Sequence, residues 1–335
     1  MSSDRGRWIK FLLAIGGSIF FSFLFVRSID LDQVVDALGD ANYLYVLPAL
    51  ALFALSVVAR SLRWRYFFLP QPDLGWRQLL PSVLIGYAGN NLLPLRAGEL
   101  LRAQHLAGRF GIARMQTFGG LLMERLFDSL ILAAFVVWGL LLADAGTAYL
   151  SLGLILGVGS LAGFILCLVA VRKPGLTRWV ANLPLPFLTP SRREAIASLG
   201  DSFLGGFSVL QSTGRTLIAG WYTVAAWLLE LSMYWLISEA FDLNASSITV
   251  AFAGAAANVS LSLPSAQGGI GPFEVFATEA LEKFDVATDA AAAYALALHF
   301  FLIVPVSLVG LAVWWRSTLS GAHDRAVTEA IEANE

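Results

Sequence analysis

The 335-residue chain has one cysteine, three histidines and little charge: only 14% of its residues are Asp, Glu, Lys or Arg. A lone Cys167 inside an apolar run excludes an internal disulfide framework and a cysteine metal cluster. No Gly-rich phosphate loop with a following Lys is present, nor an HExxH or GxSxG motif. No cofactor, no bound metal, no enzymatic activity and no nucleic-acid partner are therefore expected. The shortage of charge also excludes an ordinary soluble globule, which needs far more polar surface. What is present is apolar: 57% of residues are hydrophobic and the mean hydropathy is +0.71. The expected fold class is an all-α polytopic membrane protein.

A bilayer-crossing helix takes about 20 mostly apolar residues. Six segments qualify as full spans: 8–26, 43–59, 117–142, 148–171, 217–240 and 289–313. The first follows Arg5, Arg7 and Lys10, as in a signal peptide, but it is long for one and no clear small-residue cleavage site follows. Two further apolar segments, 79–110 and 248–283, are each broken. The first break runs from Gly86 through Asn90, Asn91 and Pro94 to Arg96, Gly98 and Glu99. The second runs from Asn258 through Ser260, Ser262, Pro264, Ser265, Gln267, Gly268 and Gly269 to Pro272 and Glu274. Irregular backbone at membrane depth is tolerated only where it is buried in protein or lines a cavity.

Charge sets the topology. With the N-terminus inside and both broken segments re-entrant, every Lys and Arg except Arg27, Arg125 and Lys283 falls in the inside regions 1–10, 60–77, 96–115, 172–216 and 316–335. That is the positive-inside pattern, with both termini cytoplasmic and the protein in the inner membrane. The order helix, helix, hairpin, helix then occurs twice with opposite orientation, over 1–142 and 148–313. This is an inverted repeat, with a hairpin entering from each face and the binding site where the tips meet. A basic cytoplasmic connection, 172–216, joins the halves and is expected to hold a surface helix from Ser191 to about Gln211. A short polar tail follows Arg316.

The residues expected to act lie at the breaks. Asn90, Asn91, Arg96, Glu99 and Arg102 belong to the first hairpin, where a guanidinium fork suits phosphate or carboxylate; an interfacial salt bridge is the alternative. Glu124, Arg125 and Asp128 lie inside a span, where charged side chains usually face the bundle and pair. They are expected to support Arg96 or Arg102. Ser260, Ser265, Gln267, Gly268, Gly269 and Glu274 of the second hairpin could hold the rest of a headgroup, or serve as a tight turn. Arg60 and Arg63, with Trp64, flank a span and suit interface anchoring or recruitment of anionic headgroups. Glu230 and His299 are intramembrane groups that could carry a proton or bond between helices.

These same residues carry a family resemblance. Arg60-x-x-Arg63-Trp64, Asn90-Asn91-x-x-Pro94-x-Arg96-x-Gly98-Glu99-x-x-Arg102, Glu124-Arg125-x-x-Asp128 and Pro264-Ser265-x-x-Gly268-Gly269-Ile270-Gly271-Pro272-x-Glu274 resemble the lysylphosphatidylglycerol synthase transmembrane-region family, the flippase-like proteins. Larger members join this region to a soluble aminoacyltransferase domain, and the membrane half is taken to flip the product lipid. The resemblance implies lipid translocation without aminoacylation, since the sequence stops at Glu335. The expected activity is movement of a phospholipid, glycolipid or similar polar-headgroup lipid by alternating access. A membrane-embedded transferase on a lipid-linked substrate and a small-solute transporter are the rivals. A homo-oligomer and a lipid-synthesising enzyme stay open as partners.

Overall fold

The computed structural model describes residues 16, 19–68, 74–93, 97–142, 147–173, 175–183, 189–261 and 267–332. Among these the ordered elements are helices, with no strand. They run α1 (Ile19–Ser28), α2 (Leu31–Asp40), α3 (Val46–Phe67), α4 (Trp76–Leu92), α5 (Gly98–Phe110), α6 (Arg114–Leu142), α7 (Thr147–Arg172), α8 (Leu176–Ala181), α9 (Pro190–Gly205), α10 (Thr213–Ala240), α11 (Ser247–Ser260), α12 (Pro272–Glu282) and α13 (Thr288–Glu332). Four stretches are long and apolar enough to cross a bilayer: Tyr43–Phe67, Gly153–Arg172, Thr213–Ala240 and Thr288–Leu319. The expected span 117–142 lies in α6, which is long enough but carries Glu124, Arg125 and Asp128. The expected span 8–26 falls largely outside the described residues.

The apolar surface requires a bilayer. Along α7, Leu154, Ile155, Val158, Leu161 and Leu166 all face outward, a wide hydrophobic face that water would not tolerate and lipid does. The interior divides in two. One core gathers Trp227, Tyr234, Phe252, Phe273 and Tyr294 around the small residues Ala253, Ala255, Ala256 and Ala257 of α11, which let neighbouring backbones approach closely. The other gathers Trp64, Phe67, Phe68, Leu79, Leu106, Ile112 and Phe207. Between them α3 lies along α10, and α4 along α13.

Both broken segments are helix–break–helix units. In the first, α4 ends where the Leu93 N–H donates to the Gly89 carbonyl at 2.9 Å, and α5 folds back along α4. The seam is built on glycine: a Cβ on Gly98 would stand 2.0 Å from the Gly86 carbonyl oxygen and 2.4 Å from the Asn90 nitrogen. Backbone atoms cannot swing aside as a side chain can. Gly98→Ala should therefore force the hairpin open and destabilise the protein by about 1–3 kcal/mol or more. Gly108→Ala, on the same helix with nothing within 4 Å, should be neutral or stabilising, because alanine is the better helix former. Thermal unfolding of the two variants side by side checks this; equal melting would show that the seam is not tight.

In the second unit, α11 stops at Ser260, a 3-10 turn covers Gln267–Gly269, and α12 starts at Pro272. Gly271 sits at φ 97°, a conformation only glycine adopts without strain. Pro272 follows at the first helical position and Glu274 reaches back to accept from the Gly271 N–H at 2.7 Å, closing the helix start. The connection between the halves holds α8 and α9, but α9 ends earlier than its sequence suggests. Gly206 lies against the α6 backbone, where a Cβ would meet the Gln116 oxygen at 2.4 Å, and the chain there tightens into a 3-10 turn at Ser208–Gln211. The polar stretch after Arg316 is not a separate tail; it continues α13 to Glu332.

Candidate functional site: a buried arginine–carboxylate network

Helical spacing selects the site. On α3, Arg60, Arg63 and Trp64 stand three and four residues apart and share a face. Glu124 and Asp128 do the same on α6, as do Trp227, Glu230 and Tyr234 on α10. These faces meet with α5 in the interior. Asp128 is the hub: it accepts from Arg63 Nη1 at 2.6 Å and Nη2 at 3.3 Å, from Arg60 Nη1 at 3.4 Å and from Trp227 Nε1 at 3.1 Å. Glu124 accepts from Arg102 Nη1 at 3.1 Å, pairs with Arg63 Nη2 at 3.2 Å, and takes a short bond from the Trp64 indole N–H. Glu230 accepts from Arg60 Nη2 at 2.7 Å and from the Tyr234 hydroxyl at 2.8 Å; Asn258 Nδ2 on α11 in turn donates to that hydroxyl at 3.0 Å.

Arg60, Arg63, Arg102, Glu124, Asp128 and Glu230 are all buried. Three guanidinium cations thus face three carboxylates, and the cluster as a whole is neutral. Aromatic faces cover it: the Arg102 guanidinium carbon lies 3.4 Å from the centre of the Trp64 ring, and that of Arg60 lies 4.9 Å from that of Trp227, close enough for cation–π attraction.

Two arginines of the network keep buried donors without a partner among the described residues, Arg63 at Nε alone and Arg102 along a whole edge. Arg102 is 4% exposed, and its Nη1 is bonded to Glu124, yet Nε and Nη2 find no partner among the described residues. Those two atoms form the side-on fork that grips a carboxylate or phosphate with two parallel N–H bonds. Leaving a buried donor unmet costs about 1–3 kcal/mol. Gly86 makes room for the side chain, since a Cβ there would stand 3.3 Å from Arg102 Cδ. Nearby, Asn90 Oδ1 is also buried without a partner among the described residues.

The structure redistributes the other residues read from the sequence. Arg60 and Arg63 are not interface anchors: α3 continues to Phe67 and carries both into the core, with Arg63 0% exposed. Glu230 is not a lone intramembrane acid, being bonded to Arg60. Arg125 does not support Arg102 from within; it turns outward to pair with Glu99 at 3.1 Å, its side chain 49% exposed. Glu99 accordingly orients Arg125 and makes no recorded bond to Arg102. Asn91 Nδ2 donates to Ser307 Oγ on α13 at 3.0 Å, and Ser260 Oγ donates to its own helix at Ala257, so neither side chain is free. Glu274 is occupied by the Gly271 N–H and by His299. Arg96, Ser262 and Ser265 lie outside the described residues, as does the side chain of Gln267. Among the described residues no group of His, Cys, Asp and Glu has the arrangement of a metal site.

The sequence profile of the lysylphosphatidylglycerol synthase TM region matches residues 7–310. The chain belongs to that family. Among curated relatives, a protein named glycosyltransferase AglD from Haloferax volcanii is 25% identical across 92% of this chain and 54% of its own length. A UPF0104 membrane protein of Methanothermobacter thermautotrophicus is 26% identical across 71% of this chain and 75% of its own. A UPF0104 membrane protein of Methanocaldococcus jannaschii is 28% identical across 36% and 38%. The chain thus spans about half the length of the Haloferax relative. No solved structure matches. The absence of enzymatic activity expected from the missing motifs does not stand against these matches: a protein named for glycosyl transfer is similar along nearly the whole chain. Two of these relatives are named as membrane proteins, and this chain is a multi-pass membrane protein of the same family.

Proposed function

We propose that the chain binds the anionic headgroup of a lipid at Arg102 and moves that headgroup across the membrane, acting in lipid-linked sugar chemistry. The observation that carries this is the unmet fork of Arg102. Arg63 Nε is a single unmet donor, whereas Arg102 leaves a two-donor edge without a partner among the described residues. A phosphate diester or a sugar phosphate fills such a fork. Asn90 Oδ1 is suited to accept from a hydroxyl of the same headgroup. In this reading α4–α5 and α11–α12 are re-entrant hairpins of an inverted repeat, both termini are cytoplasmic, and one half rocks against the other. Single cysteines in a Cys167→Ser background test the topology: Arg109→Cys and Arg193→Cys should label from the cytoplasm, and Asp36→Cys and Glu282→Cys from outside. Labelling of positions 109 and 36 from one side would refute the inverted repeat.

A second reading is favoured by the Haloferax relative: the chain is the membrane part of a glycosyl transfer to or from a lipid carrier. One experiment separates the two. Purified protein in proteoliposomes is given a fluorescent phospholipid or a lipid-linked sugar phosphate, and leaflet exchange is read by quenching from outside. A parallel sample receives a radiolabelled nucleotide sugar and extracted acceptor lipid. Exchange without label transfer supports translocation; label transfer without exchange supports the second reading.

A further inference from the structure

A buried histidine–glutamate pair lies outside the arginine network. His299 on α13 places Nδ1 2.5 Å from Glu274 Oε1 and Nε2 2.9 Å from the Gly268 carbonyl oxygen. Both partners are hydrogen-bond acceptors. A neutral imidazole has one N–H and can satisfy only one of them. Glu274 Oε2 already accepts the Gly271 N–H at 2.7 Å; the Gly268 carbonyl needs an N–H at Nε2, and the contact of Nδ1 with Oε1 needs a proton between them. With those two protons in place both contacts are met, and the pair carries no net charge. Phe273 stacks on the ring at 4.1 Å, and both residues of the pair are buried.

The place of this pair gives it a use. Gly268 belongs to the break of the second hairpin, and a Cβ on it would stand 3.7 Å from the backbone oxygen of Asn91, at the end of the first. The same imagined atom would meet Ile303 Cδ1 at 2.8 Å, and Asn91 itself bonds Ser307. His299, Ile303 and Ser307 stand four residues apart on α13, so one stripe of that helix touches both breaks. Other titratable groups on the elements packed against α13 are engaged or remote. On α10, Glu230 accepts from Arg60 and from the Tyr234 hydroxyl. Tyr87 and Arg77 on α4 and Arg215, Tyr222 and Glu239 on α10 have no recorded bond to the pair. Glu279 and Glu282 on α12 and Asp32, Asp36 and Asp40 on α2 are exposed. On α13 itself Tyr294 donates to the Tyr234 carbonyl and Asp289 accepts from the Asp30 N–H.

We propose that Glu274 and His299 form the binding site for a coupling proton, and that its occupancy sets whether the second hairpin is held against α13. With the proton bound, both contacts are met and Gly268 is held. When the proton leaves to water, the pair passes from net zero to net −1. The remaining N–H stays with the carboxylate, the stronger acceptor, and the Gly268 carbonyl loses its donor. The break is then free to part from α13 and from Asn91. The proton count stands on geometry alone; its use in coupling rests on the lipid-transport reading.

The test keeps these apart. Full-length protein labelled with ¹⁵N-histidine is placed in lipid nanodiscs, and the His299 signal is identified by its loss in His299→Gln. The wild-type ring is expected to show an N–H at Nε2 and a proton shared with the carboxyl at Nδ1, and that of Glu274→Gln the N–H at Nε2 alone. The glutamine amide can donate to Nδ1 while its oxygen accepts from Gly271, so this variant keeps the contacts and lacks the exchangeable proton. In proteoliposomes the wild type is expected to move fluorescent phospholipid faster under an imposed pH gradient, and Glu274→Gln to lose that response. A wild-type ring whose one N–H is at Nδ1, with Nε2 bare, overturns the proton site, whether or not lipid moves. A wild type indifferent to the gradient, or a Glu274→Gln variant with a full response, overturns the coupling.

Discussion

Asp128→Asn is expected to be among the most destabilising single substitutions in the chain. Asp128 is shared by Arg60, Arg63 and Trp227, with four recorded donor contacts on two oxygens. The amide keeps the volume, but it turns one acceptor into a donor that faces guanidinium nitrogen, and it leaves the buried cations in excess. Removing one partner of a buried pair costs about 3–5 kcal/mol. Glu99→Gln is the control: its pair with Arg125 is partly exposed, and such bridges are worth about 0–1 kcal/mol. Thermal unfolding of both variants in the same detergent should show a large fall for Asp128→Asn and little change for Glu99→Gln. Similar melting of the two would mean that water or lipid headgroups screen the network far better than its burial indicates.

Arg102→Ala should do the converse, abolishing lipid translocation while costing less stability than Asp128→Asn. Glu124 keeps Arg63 and the Trp64 indole when Arg102 is removed, so the cluster is one positive charge short but each of its carboxylates retains a donor. What disappears is the fork of Nε and Nη2. Arg102→Lys should also be impaired, because an ammonium restores the charge without the planar pair of donors. Leaflet exchange in proteoliposomes reads the effect. A normally folded Arg102→Ala that exchanges lipid at the wild-type rate would reduce Arg102 to a structural ion-pair partner.

The positions of these residues were partly legible. Glu124 and Asp128 share a helix face by spacing alone, and charge inside an apolar helix points to pairing, which the structure shows. The partners were not legible. Glu99 and Arg102 stand three apart, yet each bonds across to α6, because the hairpin seam at Gly86 and Gly98 presents them to different parts of that helix. Arg60 and Arg63 sit just past the run 43–59 and so read as a flank, but Trp64, Phe67 and Phe68 continue the apolar face and draw the helix inward. The signal for Glu274 was present in Gly271-Pro272-x-Glu274, a helix-start pattern with the acid at its third position. His299 had no local signal, since its partner is 25 residues away.

The network also constrains how the protein can be made. Arg60 and Arg63 leave the ribosome 68 and 65 residues ahead of Asp128, and Glu230 follows Arg60 by 170. Arg60 and Arg63 lie in the last turns of the span Tyr43–Phe67, so α3 enters the membrane carrying two cations and none of their eventual partners. Until α6 arrives, the long side chains can only reach for the headgroup region. α6 brings the first carboxylate partners of both arginines, and the seat of Arg60 is complete only when Glu230 on α10 follows, which makes late docking of α10 against α3 a condition for a stable protein rather than a refinement of one already formed.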